Sequence, residues 1–326
     1  MHLSLPPLRR PAALALALTL ALGGVLRDVP AARADSAAVE SLRQAGSLAD
    51  QGRWEAAMDR AADGGATVEA IIDWRRLRDS EGAAEFAEYA SFIAAHPDWP
   101  GLDRLRANGE TAIREAAPPA AVLAYFGEAL PQTGRGAVAL ARALSDLGRG
   151  EEAAAMLREV WLTQPLNDAG VAAMMAAHGD LLRPLADERA QAMLWRGRTA
   201  DAERMLPLLS DGGRALARAR IAVIRGDRPD LDAVPAALRD DPGLAYDRFS
   251  RLAEDGDYSA ALEILKARTG SAESLGEPTR WAAWRAQIVR WLMREGRHEE
   301  AYALAASHRL TEPGEFLADN EWLAGY

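Results

Sequence analysis

A short pattern recurs five times along this chain of 326 residues and constrains its fold more than any other feature. Each copy begins with a glycine and a charged residue, passes a variable residue, and then runs through small or acidic residues to an alanine. The copies are GRWEAA (52–57), GRGEEA (148–153), GRTADA (197–202), GDYSAA (256–261) and GRHEEA (296–301). Glycine readily adopts the left-handed conformation that ends a helix, and alanine allows helices to approach closely. The pattern therefore predicts five tight turns between packed helices.

The segments between these turns carry apolar residues at helical spacing. Sets separated by three, four or seven residues form one apolar stripe on a helix. The clearest sets are Ala153/Leu157/Val160/Trp161, Ala202/Met205/Leu206/Leu209 and Trp281/Trp284/Ile288/Trp291. No sustained alternation rich in β-branched residues is present, which argues against a sheet. Helices joined by such short turns must pack as antiparallel neighbours, so we predict an all-α solenoid of helix hairpins.

The spacing of the turns suggests degenerate repeats. The steps between their glycines are 96, 49, 59 and 40 residues, whereas a strict tetratricopeptide array repeats every 34 residues. Glycine-arginine turns could also recur by chance in an arginine-rich chain. The helical content of the intervening segments favours a tetratricopeptide-like array.

The first 34 residues have the layout of a secretory signal peptide. Arg9 and Arg10 precede an uncharged run from Ala12 to Leu26, and Ala32-Arg33-Ala34 places small residues where a signal peptidase reads them. We expect cleavage before Asp35 and export to a bacterial periplasm. The apolar run is short for a transmembrane anchor, the alternative interpretation, because a spanning helix needs about 20 residues.

Composition excludes several kinds of function. The formal net charge of −10 argues against nucleic-acid binding, and the absence of cysteine removes disulfides, thiolate catalysis and cysteine-ligated metals. The five histidines form no metal-binding spacing, and no phosphate-binding loop or serine-nucleophile motif occurs. We therefore predict no catalytic residue, no cofactor-binding residue and no metal ligand in this chain.

Several carboxylates and tryptophans could be site residues, but their positions favour structural roles. Glu151-Glu152 and Glu299-Glu300 fall in first turns of helices, where negative charge is favoured, and Glu254, Asp255 and Asp257 flank a turn. An acidic groove acting as an enzyme is the less favoured alternative. Trp281, Trp284 and Trp291 could stack on sugars, but their helical spacing favours core packing. The remaining candidates, expected to be wedges between helix pairs, are Trp54, Trp161, Trp195 and Trp322.

The end of the chain resembles the soluble lytic transglycosylases of the bacterial periplasm, in the form common among alphaproteobacteria. The likeness rests on Gly296-Arg297 with Glu300-Ala301-Tyr302, on Ala305, Ala306 and His308, and on the segment Glu321 to Tyr326. The segment AHPDWPGLDRLRANGE (95–110) is also similar to that family. The resemblance implies a right-handed, U-shaped superhelix followed by a lysozyme-like domain that cleaves peptidoglycan with a single glutamate.

The supporting Gly-Leu-Met-Gln and Ala-Tyr-Asn-Ala-Gly runs of that catalytic domain are missing from this sequence. The Glu-Ser pairs at Glu40-Ser41 and Glu273-Ser274 are expected by chance, so no catalytic residue is carried over. We expect 35–326 to be the superhelical portion, truncated at its C-terminal end, inactive alone, with Trp322, Leu323 and Tyr326 uncovered. Its partners would be glycan strands or periplasmic proteins, without a stable membrane anchor. The alternative is a stand-alone periplasmic tetratricopeptide-like scaffold.

Overall fold

The structure, a computed structural model, describes residues 30–80 and 82–326, with side chains described from residue 36. Secondary structure in these residues is helical, and no strand occurs among them. The first helices are α1 (Pro30–Asp50), α2 (Trp54–Ala62), α3 (Ala66–Asp79), α4 (Phe86–Ala95), α5 (Leu102–Ala112) and α6 (Pro119–Phe126). The middle helices are α7 (Gly134–Asp146), α8 (Gly150–Thr163), α9 (Asp168–Leu182), α10 (Ala186–Trp195), α11 (Thr199–Met205) and α12 (Asp211–Arg225). The last are α13 (Pro242–Glu254), α14 (Tyr258–Arg268), α15 (Ala272–Leu275), α16 (Pro278–Arg294), α17 (His298–Ala306) and α18 (Glu315–Gly325).

The helices pack in neighbouring pairs, which confirms the predicted all-α array of helix hairpins. The five most closely packed pairs are α1/α2, α7/α8, α10/α11, α13/α14 and α16/α17. Each of these pairs is joined by one of the five glycine turns. The right-handed superhelical path and the U shape stay predictions.

The five turns share one hydrogen-bonded geometry. Their glycines have φ between 70° and 80°, and the next residue donates its N–H to the carbonyl five residues back. The donor-to-acceptor pairs are Arg53–Leu48, Arg149–Leu144, Arg198–Met193, Asp257–Leu252 and Arg297–Leu292, at 2.9–3.0 Å. This is the Schellman arrangement, which satisfies a carbonyl that the end of the helix would leave free.

The alanine that closes each turn pattern is buried. It donates its N–H to the carbonyl of the residue after the glycine and thereby closes the first turn of the second helix. The five alanines, none more than 4% exposed, are Ala57, Ala153, Ala202, Ala261 and Ala301. The predicted role of alanine at the contact of each pair is confirmed.

The described chain divides into two compact units, with the division falling inside α3. The first unit ends at Arg76, and α1 and α2 pack through small residues, chiefly Ala45, Ala49, Ala57 and Ala61. The second unit extends from Leu77 to Tyr326. One of its hydrophobic cores is formed by the helices from α6 through α12, and another by the helices from α13 through α18.

Two expectations fail locally. The stripe from Ala202 to Leu209 predicts one helix, but α11 ends at Met205 and a 3-10 turn, Leu206–Leu208, follows because Pro207 cannot continue the α-helical bonding. The prediction that Leu323 is uncovered is wrong, since it is only 4% exposed because α18 folds back onto the core around α16.

The predicted signal peptide, 1–34, lies mostly outside the described residues, since the structure describes the chain only from residue 30. Residues 30–34 belong to the first turns of α1. Across the part of the chain that the structure describes, no helix combines the length and apolar character that a membrane span requires.

Candidate functional site

The acidic pairs singled out in the sequence lie at helix starts, and the second residue of each pair is held by a basic neighbour. Glu152 accepts a hydrogen bond from Arg149 Nε at 3.0 Å in the first turn of α8. Glu300 in α17 is bound by Arg297 at 2.8 Å and by Lys266 at 2.5 Å. These bonds lower the pKa of Glu300 to about 2, so this carboxylate stays ionised and is a poor proton donor.

The other carboxylates considered from the sequence also have structural contacts. Asp255 accepts hydrogen bonds from both Nε and Nη2 of Arg251. Asp257 caps α14 by accepting a hydrogen bond from the N–H of Ala260 at 3.0 Å. Glu40 binds Arg43 at 2.9 Å, and hydrogen bonds from Arg43 and Gln44 lower the pKa of Glu40 to about 2. These contacts give the three carboxylates structural roles at a helix end or beside a basic side chain.

The three tryptophans considered as a sugar platform pack in or against the core. Trp281 is fully buried, donates its indole N–H to Leu275 O at 2.9 Å and stacks on Phe249 with ring centroids 4.7 Å apart. Trp284 and Trp291 are half-buried and pack against the same core. Trp322 is different: the sequence predicts a wedge between helix pairs, but 58% of this residue is exposed.

Sequence reasoning missed a set of buried charged residues in the second unit. Arg189, Arg220 and Arg285 are 0% exposed, and Asp247 is 3% exposed. A signal was present, because Arg285 falls on the same helical stripe as the buried Trp281. A long arginine on an apolar stripe can bury its charge only if its N–H groups find acceptors.

Two of these arginines bind carbonyls at helix ends. Arg189 lies 4.7 Å from the Trp161 ring and donates to the carbonyls of Trp161 and Gln164, at the end of α8. Arg285 donates to Leu304 O at 2.8 Å and to Thr269 Oγ1 at 2.9 Å. Burial lowers the pKa of both guanidinium groups to about 10, which still leaves them charged at neutral pH.

The third buried arginine forms an ion pair that crosses from α12 to α13. Arg220 Nε donates to Asp247 Oδ2 at 2.6 Å, and Nη1 donates to Gln191 Oε1 at 2.5 Å. Burial raises the pKa of Asp247 to about 6, although Arg220 opposes the shift. Gly243 leaves room for this guanidinium, because a Cβ there would lie 2.1 Å from Arg220 Nη1. The pair fixes the register of two helices.

A cavity of about 240 Å³ opens beside this ion pair. The rings of Trp195 and Tyr246, 5.3 Å apart, contribute to its wall, and Asp247 and Arg280 supply charges of opposite sign. Burial raises the pKa of Tyr246, so its hydroxyl stays protonated at neutral pH. The lining contains no histidine, so no serine-histidine pair for nucleophilic catalysis is formed there.

Another buried carboxylate, Glu110, belongs to the start of α7. It accepts the N–H groups of Gln132 at 2.9 Å and Thr133 at 2.7 Å, where the positive end of the helix favours an anion. Burial nevertheless raises the pKa of Glu110. Gly136 provides the space for the carboxylate, since a Cβ there would lie 2.3 Å from Glu110 Oε2. Glu110 therefore caps α7 from α5.

The surface of α17 and α18 is the one region of the described side chains where large apolar residues concentrate outside the core. Tyr302, Phe316, Trp322 and Tyr326 are 62%, 45%, 58% and 81% exposed, and the rings of the last two lie 5.1 Å apart. Such a surface suits contact with another molecule rather than chemistry. Among residues 30–80 and 82–326, no group of three or more metal-ligating side chains is close enough to hold a metal.

Comparisons with protein-family models, with curated proteins and with solved structures find no match to this chain. The functional argument therefore rests on the contacts described above. They describe a packed helical array with one buried ion pair and one exposed aromatic surface.

Proposed function

We propose that this chain is the superhelical, non-catalytic portion of a periplasmic peptidoglycan lytic transglycosylase, exported by residues 1–34. Its role is to position glycan strands or partner proteins for a catalytic domain whose glutamate lies outside this sequence. The secondary proposal is a periplasmic scaffold that binds other proteins without any link to cell-wall cleavage.

The single observation that carries the first proposal is the way the segment 296–326 is held together. The residues that resemble the family contact one another: His308 Nε2 lies 3.0 Å from Glu321 Oε1, and His308 Nδ1 accepts the N–H of Leu310 at 2.8 Å. Because Nδ1 accepts this bond, Nε2 is the ring nitrogen that can donate to Glu321. Leu323 from the same segment is buried. The resemblance thus falls on residues that build a helix pair, as an architectural motif should.

Repetition of the same turn elsewhere supports this assignment. Gly296 closes α16 with the hydrogen bonds that Gly52, Gly148, Gly197 and Gly256 use in their own pairs. A segment that uses the same turn as the other helix pairs is suited to extending the surface of the helical array. Among the acidic side chains near the turns, Glu152, Asp255 and Glu300 pair with basic residues and Asp257 caps a helix, so these four contribute to folding rather than to glycosidic bond cleavage.

Murein sacculi provide the test. We expect the purified chain to sediment with sacculi or with a sacculus-bound partner and to release no 1,6-anhydromuropeptides, measured by mass spectrometry against a buffer blank. A muramidase serves as the positive control for digestion. Release of anhydromuropeptides above the blank would show that catalysis resides in this chain and would refute the proposal.

The scaffold alternative is favoured by the four exposed aromatic side chains on α17 and α18. Genomic sequence separates the two proposals. A reading frame that continues past the codon for Tyr326 into a Glu-Ser segment with both supporting runs favours the transglycosylase. A stop codon followed by intergenic sequence favours the scaffold.

A further inference from the structure

Exposed large apolar residues are unevenly distributed over the part of the chain whose side chains are described. Six such residues occur there, and four of them lie on α17, on α18 or at the residue after α18. The other two, Val39 and Leu147, are 65% and 51% exposed and lie on α1 and at the end of α7. Isolated exposed residues are ordinary, whereas a concentration of aromatic residues marks an interaction surface.

Helical spacing arranges these side chains into two outward stripes. On α18, Glu315, Ala318, Trp322 and Tyr326 are exposed at positions i, i+3, i+7 and i+11. On α17, Glu299, Tyr302, Ala303 and Ala306 are exposed at i, i+3, i+4 and i+7. We call the exposed stripes of these two packed helices, eight residues in all, the last-pair face. The aromatic rings provide apolar area, and the alanines leave room for a close approach.

The opposite sides of both helices are engaged, which holds this face in place. Ala301, Leu304 and Leu323 are at most 4% exposed and pack into the core around α16. Arg290 on α16 binds Asp319 on α18, and His308 binds Glu321. A surface fixed in this way loses little conformational entropy when it binds a partner.

The charge on the last-pair face is negative. Glu299 and Glu315 make no ion pair with any residue that the structure describes, and Glu312 before α18 makes none either. Neither Arg297 nor Arg309 pairs with these glutamates, since Arg297 binds Glu300 and Arg309 donates to the carbonyls of Thr269 and Gly270. A second copy of this face would therefore bring like charges together, whereas a basic partner would neutralise them.

We propose that the last-pair face binds a basic amphipathic helix of another protein. The apolar side of that helix packs on Trp322, Tyr326 and Tyr302, and its lysines or arginines reach Glu299 and Glu315. Recognition of this kind uses apolar anchors at helical spacing in the partner. The inference goes beyond the proposed function, because it needs neither murein nor a catalytic domain.

Fluorescence anisotropy with a labelled synthetic helix tests the proposal. The probe is a peptide of about 18 residues, with leucines at i, i+3, i+4 and i+7 and lysines elsewhere. Controls are a scrambled peptide and one with glutamate in place of lysine. We expect the full chain to bind the leucine-lysine helix in preference to both controls. Increasing salt should weaken binding, because exposed charges are screened.

Variants on the face separate the two contributions. W322A/Y326A should weaken binding about tenfold or more, since aromatic anchors dominate such interfaces. E299Q/E315Q should weaken it a few-fold and flatten the salt dependence. L147A, which removes an exposed apolar residue outside the face, should bind like the unaltered chain. All these side chains are exposed, so circular dichroism and thermal melts should stay unchanged.

Three results would overturn the proposal. The first is equal affinity for the scrambled or glutamate peptide, and the second is a loss of binding in L147A as large as that in W322A/Y326A. The third is self-association by sedimentation that W322A/Y326A abolishes, which would assign the face to a second copy. None of these results bears on murein release, so the proposed function is tested separately.

Discussion

Tryptophans in the middle of the array and in its last described pair have opposite surroundings, although both regions are built from the same kinds of helices. Trp161 on α8 is fully buried, and Arg189 from α10 lies over its ring at 4.7 Å. Trp322 on α18 is 58% exposed and contacts Tyr326, itself 81% exposed. Both tryptophans lie on apolar helical stripes. The difference comes from the neighbouring helix, which supplies a covering side chain in one case and leaves the ring open in the other.

This contrast separates two roles of one architecture. In the middle, Arg189 from α10 covers the ring of Trp161 on α8 and satisfies carbonyls at the end of α8, so the surface contributes to stability. On α17 and α18 the same kind of surface is accessible and contributes little to folding, which leaves it free for binding. Substituting the buried side chains of the middle should therefore destabilise the chain. Substituting the exposed side chains of the last pair should leave the stability of the chain unchanged and alter its binding to other molecules.

The largest expected effect is on the buried ion pair. D247A leaves the charge of Arg220 buried without its carboxylate and should lower the free energy of unfolding by about 3–5 kcal/mol. The matched control on the same helix is D255A, which breaks the exposed pair with Arg251 and should cost at most about 1 kcal/mol. Urea denaturation measures both. Similar costs for the two variants would mean that the ion pair is not buried as described.

A tryptophan comparison within the helices of the last core tests the contrast between a buried and an exposed ring. W281A empties a fully buried site and should destabilise the chain by about 3–5 kcal/mol. W322A removes an exposed ring and should change stability by no more than about 0.5 kcal/mol. Thermal and urea unfolding of the two variants gives the comparison. A cost for W322A close to that of W281A would show that the Trp322 ring is part of the core.

The stability of the middle region should depend on pH through Asp247. Because burial raises the pKa of Asp247 to about 6, the folded state holds this proton more tightly than the unfolded state. The resulting stabilisation, about 3 kcal/mol for this shift, is present below pH about 4 and is lost as the pH rises through 6. D247N lacks this dependence, so its stability relative to the unaltered chain should increase over that interval. A constant difference between pH 4 and pH 7 would contradict the shift.

The smallest effect concerns the shared turn. Gly148 has φ 75°, so G148A forces a side chain into the left-handed region and should cost about 1 kcal/mol. Gly150, two residues later, opens α8, and a Cβ added there would have no atom within 4 Å, so G150A should be neutral or slightly stabilising. Thermal unfolding distinguishes the two. Equal effects would show that the left-handed turn does not require glycine.

The sequence predicts the array because its signals are local. Left-handed glycines at Gly52, Gly148, Gly197, Gly256 and Gly296 and buried alanines five residues later follow from one repeated pattern. The stripe through Trp281 and Ile288 likewise identifies a buried helix face. Local turn chemistry and helical periodicity need no knowledge of which helices become neighbours.

The buried charges and the open surface could not be predicted in this way. Arg220 and Asp247 are 27 residues apart, and nothing near either residue indicates that they pair. Trp322 and Leu323 are adjacent on an apolar segment, yet one is exposed and the other buried. Which side of a stripe is covered depends on a distant helix, and a single sequence gives no measure of that contact.

Fluorine NMR of the chain labelled with 5-fluorotryptophan tests most directly whether the last pair is an open binding surface. The chain has nine tryptophans, and W322F and W281F variants assign the two relevant resonances. We predict that the Trp322 resonance shifts between H2O and D2O and moves when the leucine-lysine helix is added, whereas the Trp281 resonance does neither. A Trp322 resonance as protected as that of Trp281, or one that the helix leaves unchanged, would contradict the account.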